Sequence, residues 1–341
     1  MEHEYSNKPV TPWGGVLQMK QVLDKSGIRE KLLELGLPEG KSHNRIPALD
    51  VIEAFWVSVW IGASKFSHTA VVRLDATLKI VFGWKRVASG TTFTRYFRRF
   101  TQPINTSVFS ELNTWFFNQL RFDNYTLDVD SSVLTRFGEQ EGSCKGYNPK
   151  KRGRASHHPL FAFVSELRMV ANCWLRSGDT SSSNNCISFM NETFGILGGK
   201  KIGLFRADSG FCGESVFSFL EEKKVPYVIA GRLHGVLQGK IRDVSSWNVI
   251  DKGLWISEFT YRAQSWSQER RFIVIRQSIA LRPRATGKQL KLFDDSIYYR
   301  NYRFHCIYTN QHLPALQIWQ QYKGRADAEN RIQELRTKAM V

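Results

Sequence analysis

The stretch YTLDVDSSVLTRFGEQEGSCKGYNPKKRGRASHHPL, residues 125–160, decides the fold. Apolar and polar residues alternate at its start, a period of two that predicts a half-buried β-strand with Asp128 and Asp130 on one face. The loop that follows has five positive charges within ten positions, Lys145, Lys150, Lys151, Arg152 and Arg154. Carboxylates that suit a divalent metal therefore lie a short loop away from cations that suit a phosphate backbone.

The composition indicates a globular protein with a polyanionic partner. The 341 residues are enough for two or three domains, and 42% of them are hydrophobic. Lys and Arg number 48 against 31 Asp and Glu, a net charge of +17. We interpret this excess as favouring nucleic acid, with simple solubility as the alternative.

The same composition argues against membrane and secreted classes. The most apolar run, residues 54–63, is too short to span a bilayer, so no membrane partner is expected. Five cysteines occur without a CxxC pair or a secretory signal, which predicts reduced thiols in a cytoplasm.

Residues 14–122 have a helical pattern throughout. Within them, residues 89–100 (SGTTFTRYFRRF) predict a helix that Ser89 caps, with aromatic residues on one face. Its cations, Arg95, Arg98 and Arg99, lie off that face. The helix is either a recognition helix lying along DNA or an amphipathic helix with a solvated basic face, and the pattern does not decide between them.

After residue 122 the pattern changes to alternating strands and helices. We expect strands at 125–135, 160–164 and 168–175 in a meander, then a helix at 186–196. A strand ending at Asp208, a helix at 214–224 and a strand at 226–231 predict a parallel crossover. Residues 233–310 are mostly strands, with a hairpin formed by 254–264 and 270–279. One long helix is expected from Leu313 to the end of the chain.

Three distant carboxylates are candidates for one metal site: Asp130 and Asp208, each at a strand end, and Glu329 on the last helix. On a continuous helix, Tyr322, Arg325, Glu329 and Arg336 fall within an arc of about 60°. Two strands and a helix could thus supply the carboxylates of a two-metal phosphoryl-transfer site, with Arg and Tyr nearby to hold a phosphate.

Several segments resemble those of one known family: DVDSSV, GYNPKKRGR followed by HHPL, RADSGF, and the Y-x2-R-x3-E pattern that begins at Tyr322. The chain is similar over residues 14–341 to DDE transposases of bacterial insertion sequences, most closely the YREK-bearing, cut-and-paste branch (the DDE domain group 1 type). That family has an RNase H-like catalytic domain with an all-β insertion before the helix that carries the catalytic glutamate.

The resemblance implies an α/β fold preceded by an all-α N-terminal domain. On this basis residues 1–122 form a helical DNA-binding or dimerisation domain, and residues 123–232 form the first part of the RNase H-like core. Residues 233–310 form the β-rich insertion, and residues 311–341 form the catalytic helix. Relatives of this branch continue well beyond that helix, so a C-terminally truncated chain is expected.

By the same resemblance, Asp130, Asp208 and Glu329 are the catalytic and metal-binding triad, and Tyr322 and Arg325 contact terminal phosphates. Arg336 stands where the family has Lys, so bidentate phosphate binding replaces a point charge. Asp128 is the less favoured alternative to Asp130 as the ligand. Trp255 and Trp266 are candidates for stacking on an extruded base, although core packing is favoured for each. Arg176 also resembles a family position, without an assigned role.

The implied activity is DNA cleavage and strand transfer by two Mg²⁺ ions, for which Mn²⁺ can substitute. The implied partners are double-stranded DNA, as terminal inverted repeats and target, and a second copy of the chain in a synaptic complex. A nucleoid-associated protein of the bacterial cytoplasm is expected. The alternatives are an inactive, truncated DNA-binding remnant and a Mg²⁺-dependent nuclease without strand transfer.

Overall fold

The structure is a computed structural model that describes residues 8–149, 151–282, 284, 288–289 and 301–338. It describes the side chains of all these residues except 288, 289, 329 and 335–338. The chain divides into two compact units, one of Met1–Gln119 with Ile332–Val341 and one of Leu120–Arg331. Each unit is described by itself below.

Helices supply the regular structure of residues 8–119. They are α1 (Val16–Ser26), α2 (Ile28–Glu34), α3 (Ala48–Trp60), α4 (Ala70–Leu74), α5 (Ala76–Phe82), α6 (Gly90–Phe97) and α7 (Gln102–Gln119), with a 3₁₀ turn at Phe66–Thr69. Gly27 and Gly83 end α1 and α5 in the left-handed conformation that favours glycine. The apolar α3 is buried along most of its length and forms the centre of this core.

The capping predicted for residues 89–100 is confirmed. The Ser89 hydroxyl accepts a hydrogen bond from the Thr92 N–H at the start of α6. The α6 side chains Phe93 and Tyr96 are buried, and Phe93 stacks on Phe66. The helix thus has one aromatic face in the core, as its sequence pattern requires.

The unit Leu120–Arg331 is built on a sheet with ten strands among its described residues. The strands are β1 (Tyr125–Ser131), β5 (Leu160–Val164), β6 (Met169–Trp174), β7 (Ile202–Ala207), β8 (Tyr227–Ala230), β9 (Asn248–Asp251), β10 (Leu254–Tyr261), β11 (Arg270–Ser278), β12 (Lys288–Gln289) and β13 (Tyr302–Thr309). A small second sheet contains β2 (Leu134–Thr135), β3 (Cys144–Lys145) and β4 (Ala155–His157). Helices α8 (Cys186–Ile196), α9 (Glu214–Glu222) and α10 (Gly235–Arg242) connect the strands.

The sheet order, β6-β5-β1-β7-β8-β13-β11-β10-β9 with β12 beside β13, confirms the main topological predictions. Strands β1, β5 and β6 form the antiparallel meander. Strands β1, β7 and β8 are parallel neighbours, as the predicted crossover requires. The hairpin of β10 and β11 is also present. The fold is therefore mixed α/β around one large sheet.

One expectation about the last third is corrected. Residues 233–310 are not all β, because α10 lies within them. The strands of this segment belong to the large sheet, a point that the sequence pattern did not address. Strand β13 pairs with β8 antiparallel, so the hydrogen-bond ladder runs on from the parallel centre into β11 and β10.

The last helix is also not continuous. The chain forms α11 (Ala315–Lys323) and α12 (Ala326–Lys338), separated at Gly324 and Arg325. At this junction the Arg325 N–H donates to the Tyr322 carbonyl, three residues back, at 3.0 Å. The Gln321 carbonyl, four residues back, accepts instead from the Arg206 guanidinium at 2.8 Å. A single-helix calculation of which residues share a face therefore does not hold across this break.

A charged cluster joins α9 to β11 at the edge of an aromatic core. The Arg270 side chain, 2% exposed, donates to Glu214 at 2.6 Å and to Glu221 at 2.7 Å. Burial opposes ionisation of Glu214, but hydrogen bonds from Arg270 and Ser267 lower its pKa to about 2. None of the described helices is long and apolar enough to cross a membrane.

We predict that Arg270→Met lowers the free energy of unfolding at neutral pH by about 2–3 kcal/mol, because it leaves two carboxylates without their shared cation. The Glu214 pKa is depressed in the folded state, so its contribution is full above the unfolded pKa of about 4.3 and is lost as the pH falls towards 2. The variant should therefore lose less of its remaining stability on acidification than the parent chain.

The measurement is the urea midpoint as a function of pH. Arg282→Met serves as the control, because its partner Asp251 is largely exposed and surface pairs contribute little. If the urea midpoint of Arg270→Met fell in parallel with that of the parent between neutral and acid pH, Arg270 would not be the group that lowers the pKa of Glu214.

Candidate functional site

Asp130 and Asp208 lie side by side at the carboxyl ends of two neighbouring parallel strands. Val129 of β1 is paired with Ala207, the last residue of β7; Asp130 is the next residue of β1, and Asp208 directly follows β7. Adjacent strands lie about 4.8 Å apart, so the two carboxylates start from neighbouring backbone positions. Asp130 is 7% exposed and Asp208 is half-buried. The Asp208 carboxylate accepts from the Gly210 N–H at 2.7 Å, which fixes the turn after β7.

A buried ion pair lies two residues before the aspartates along the chain. Asp128 of β1 and Arg206 of β7 are register partners and form a bidentate pair at 2.6 and 2.8 Å. Both are buried, Asp128 to 1% exposure. Burial raises the pKa of the Asp128 carboxyl, while the Arg206 guanidinium lowers it. Asp128 is thus committed to a protein cation, and the structure gives it no role as a surface carboxylate.

Arg325, at the junction of α11 and α12, is directed at the first aspartate. Its guanidinium lies 2.8 Å from an Asp130 carboxylate oxygen, and its side chain is 5% exposed. The other Asp130 oxygen accepts from the Ser131 N–H at 2.8 Å. The α11–α12 segment therefore reaches the strand ends, as a site built from two strands and a helix requires.

Tyr322 lies one turn before Arg325 and is half-buried. Its ring centroid is 4.9 Å from that of His305 on β13. Burial, with a smaller effect of the Arg325 charge, lowers the pKa of His305 to about 4. His305 is therefore neutral at physiological pH and leaves Arg325 as the cation on this side of the aspartates.

A chain of hydroxyl groups and one histidine lies beside the aspartates. The Nδ1 atom of His158 donates to the Thr180 carbonyl at 2.6 Å, so Nε2 accepts from the Ser131 hydroxyl at 3.1 Å. The Ser131 oxygen in turn lies 2.8 Å from that of Ser182. Burial lowers the pKa of His158, and the Thr180 carbonyl and the Asp208 charge offset this only in part. Because the net shift is downward, the ring is neutral near pH 7.

The loop 177–185 fits closely against both strand ends. A Cβ at Gly210, after β7, would lie 2.7 Å from the Ser182 oxygen, so a side chain there would collide with the loop. Arg176 anchors the loop through hydrogen bonds to backbone carbonyls. It is 7% exposed and donates to the carbonyls of His158 (3.0 Å), Ser181 (3.0 Å) and Asn184 (2.6 Å). Arg176 thus acquires a role that its sequence position did not reveal.

The predicted cationic loop borders this arrangement through the small second sheet. Lys145, Lys151, Arg152 and Arg154 are all exposed, and Lys150 lies outside the described residues. Asn148, 3% exposed, donates to the Thr135 hydroxyl at 2.9 Å and accepts from the Lys151 N–H at 3.0 Å. A Cβ at Gly146 would lie 1.9 Å from the Gly178 carbonyl oxygen, so the two loops touch backbone to backbone.

The other predicted site residues have mixed outcomes. Arg95, Arg98 and Arg99 are exposed in the other unit, at and just after α6. Glu329 and Arg336 lie on α12, but their side chains are outside the described part of the chain.

The two tryptophans are both occupied by protein contacts. Trp266 is 9% exposed and packs edge-on against Phe217 and Tyr308, which argues against base stacking because a base needs an exposed ring face. Trp255 packs against Arg276, 4.7 Å from its ring centroid. Core packing, the favoured alternative in the sequence, is what the structure shows for Trp266.

The donor set at the strand ends fits a hard divalent cation. Asp130 and Asp208 start from neighbouring backbone positions, Asp208 is half-buried, and carboxylate oxygens are ligands that Mg²⁺ prefers. Among the described residues, no three His, Cys, Asp or Glu side chains are grouped closely enough to hold a metal ion. The side chain of Glu329, the third ligand expected from the sequence, lies outside the described part of the chain, so the structure describes only the two aspartates of the expected triad.

Sequence reasoning missed Arg232, Ser131, Ser182, His158 and Arg206 as parts of this site. Arg232 follows β8, the third parallel strand, and donates to the Ser209 and Gly210 carbonyls at 2.6 and 3.1 Å while its side chain stays exposed. The signal for Arg232 was available, because carboxyl ends of parallel strands share one edge. The loop that brings Ser182 to the site has no such signal.

Comparisons with known proteins bear on the family and the fold of the chain. A family model described as transposase DDE domain group 1 matches residues 5–341. The fold is similar to that of the piggyBac transposase in a cryo-EM structure of its synaptic complex with hairpin DNA, at a TM-score of 0.50 and 13% sequence identity. That match covers 94% of this chain and 68% of the piggyBac chain. No curated protein sequence matches the chain significantly.

We predict that Arg176→Met loosens the loop 177–185 and exposes it to proteolysis, because three carbonyls lose their buried donor. Limited proteolysis with mass mapping should show new cleavage within 177–185, at a rate about tenfold above the parent. Arg168→Met is the matched control, because Arg168 lies in the β5–β6 turn and is exposed. Unchanged cleavage at this loop would contradict the role of Arg176.

Proposed function

This chain belongs to the transposase DDE domain group 1 family, and on that premise we propose that it cuts and joins DNA at the ends of a bacterial insertion sequence. The observation that carries the proposal is the pair Asp130 and Asp208, adjacent at the ends of parallel strands and faced by Arg325. Two neighbouring carboxylates with an arginine against one of them suit phosphoryl transfer, which depends on positioning and charge stabilisation.

We propose that Asp130, Asp208 and Glu329 hold two Mg²⁺ ions, with Mn²⁺ as a substitute. Bound there, the ions would supply Lewis acidity to the attacking and leaving oxygens of an in-line displacement. The proposal rests on the oxygen-rich donor set of the two aspartates and on the position of α12, which carries Glu329.

The chain's own residues would orient the phosphate. Arg325 balances the charge of Asp130 in the structure, and with cations in the site it would turn to a phosphate oxygen, which it can bind in a bidentate manner. Tyr322, three residues before Arg325, is a further candidate for holding a phosphate oxygen, through its hydroxyl. Arg232 is exposed beside Asp208 and is a further candidate for a phosphate contact.

DNA would be held mainly through exposed cations. The loop residues Lys145, Lys151, Arg152 and Arg154, with Lys150, would follow the backbone of the element end, and the α6 arginines offer a second contact. A homodimer in a synaptic complex, acting on terminal inverted repeats and target DNA in the nucleoid, is the assembly we propose, because two element ends must be cut together.

We predict that Asp130→Asn and Asp208→Asn each lower the rate of metal-dependent cleavage of labelled element-end DNA by about 10³-fold or more, since each removes a ligand charge. Binding of the same DNA without metal should change by less than about threefold, because phosphate contacts lie elsewhere. Asp251→Asn, at an exposed aspartate on β9, is the control and should cleave like the parent.

The products decide between the proposed activity and its alternatives. Hairpin or joined products indicate transposition, whereas nicks alone indicate a nuclease without strand transfer. DNA binding without any product in Mg²⁺ or Mn²⁺ would identify an inactive DNA-binding remnant and refute the enzymatic proposal. Cleavage that survives both aspartate substitutions would refute the site.

A further inference from the structure

We propose that Arg206, held by Asp128, is a positioning residue that sets the break between α11 and α12 and thereby delivers Arg325 and the Glu329 helix to the strand ends. Arg206 touches neither of the two aspartates assigned to the metal site. It acts through the backbone of the last helical segment, and this role rests in part on the proposed function of that site.

All three guanidinium nitrogens of Arg206 donate hydrogen bonds to other residues. Two of its nitrogens bind the Asp128 carboxylate, and one of them also reaches the Ser165 hydroxyl at 3.1 Å. The remaining terminal nitrogen donates to the Gln321 carbonyl at 2.8 Å. The side chain is 7% exposed, so each of these bonds lies largely out of water.

The Gln321 carbonyl is the group that decides the path of the helix. In an uninterrupted α-helix it would accept the N–H of Arg325, four residues later. Arg325 instead donates to Tyr322, three residues earlier, in a tighter turn. By occupying the Gln321 carbonyl, Arg206 favours this tighter turn, and α12 starts afresh at Ala326.

The glycine at position 324 also indicates that Arg206 sets the helix junction. A Cβ at this position would lie 2.4 Å from the Arg206 Nη1 atom, closer than real contacts allow. Its backbone is in the ordinary helical region (φ −60°, ψ −15°), so glycine is not needed there for its conformational freedom. What requires glycine is the guanidinium that lies against the turn.

The spacing along the strands explains why this contact bears on the site. Asp128 and Asp130 are two residues apart on β1 and therefore face the same side of the sheet. Arg206, the register partner of Asp128, lies two residues before Asp208, which directly follows β7. The ion pair therefore lies directly before the two aspartates. A helix junction fixed on Arg206 is held in register with them, and Arg325 then reaches Asp130 at 2.8 Å.

The test compares Arg206→Met, Gly324→Ala and their combination with the parent chain. Asp128→Asn/Arg206→Met removes the buried charge of both partners and keeps their approximate volume, so that it folds even if the single variant does not. Arg271→Met is the matched control, because Arg271 also donates from the sheet to carbonyls, those of Gln311 and Leu313, but before α11 begins.

The first readout is hydrogen exchange of the backbone amides of residues 322–328, which does not depend on activity. We expect about a tenfold faster exchange in Arg206→Met, Gly324→Ala and the Asp128→Asn/Arg206→Met variant, and no change in Arg271→Met. Arg206→Met/Gly324→Ala should be no worse than Arg206→Met alone, since the guanidinium that the added methyl group would strike is no longer present.

The second readout is the cleavage rate at saturating DNA and metal. We expect about a 10²-fold lower rate in the Arg206 and Gly324 variants, with DNA affinity within about threefold of the parent, because misplacement by an ångström is enough for such a loss. A merely structural role would lower the folded fraction and affect both quantities together.

Unchanged exchange at 322–328 in Arg206→Met, or a matching loss in Arg271→Met, overturns the inference. Additive effects of Arg206→Met and Gly324→Ala overturn it as well. If the parent chain itself cleaves no DNA, the proposed function fails, but the exchange measurements still decide whether Arg206 sets the junction.

Discussion

The buried ion pair between Asp128 and Arg206 is the interaction on which the arrangement of the site depends. Two charges that leave water incur a desolvation cost of several kcal/mol each, which only good geometry and complete hydrogen bonding offset. Here the carboxylate is met by two guanidinium nitrogens, and the remaining donor is used by the Gln321 carbonyl. The pair therefore joins two strands to one helix end in a way that an apolar contact, which has no direction, does not.

Two of the three aspartates around this pair have an arginine against them, Asp128 with Arg206 and Asp130 with Arg325. Asp130 has Arg325 against it, and the two nearby histidines, His158 and His305, are held neutral because burial lowers the pKa of each. Exposed positive charges lie on the loop 145–154 and at Arg232, which donates to the turn after Asp208. The inner part of the site thus suits small cations, and the outer part suits a polyanion.

Local patterns in the sequence predicted the fold well because they report on single elements. The alternation at Tyr125–Ser131 gave β1, and the apolar run after Asn185 gave α8 with the expected bounds. Asp130 and Asp208 could be paired because consecutive parallel strands end at one edge. The break at Gly324 could not be found, because it arises from an arginine more than a hundred residues earlier that competes for a backbone carbonyl.

The roles of Arg176 and Trp266 could not be predicted from the sequence for the same reason, because they depend on distant residues. Arg176 lies next to a polar, turn-rich stretch, and nothing in its neighbours shows that three carbonyls fold back over it. Trp266 was a plausible stacking platform in sequence, but its ring is covered by Phe217 and Tyr308 from other elements. Contacts between residues distant in sequence decided each of these cases, and periodicity carries no information about them.

The continuity of the large sheet has a consequence for the segment 233–310. Because β13 is hydrogen-bonded to β8, and β11 to β13, this segment shares one backbone ladder with the strand beside Asp208. A segment attached in this way has no hinge of its own within the ladder. The outer strands β10 and β9 therefore lie at fixed distances from the aspartates, each strand adding a spacing of about 4.8 Å.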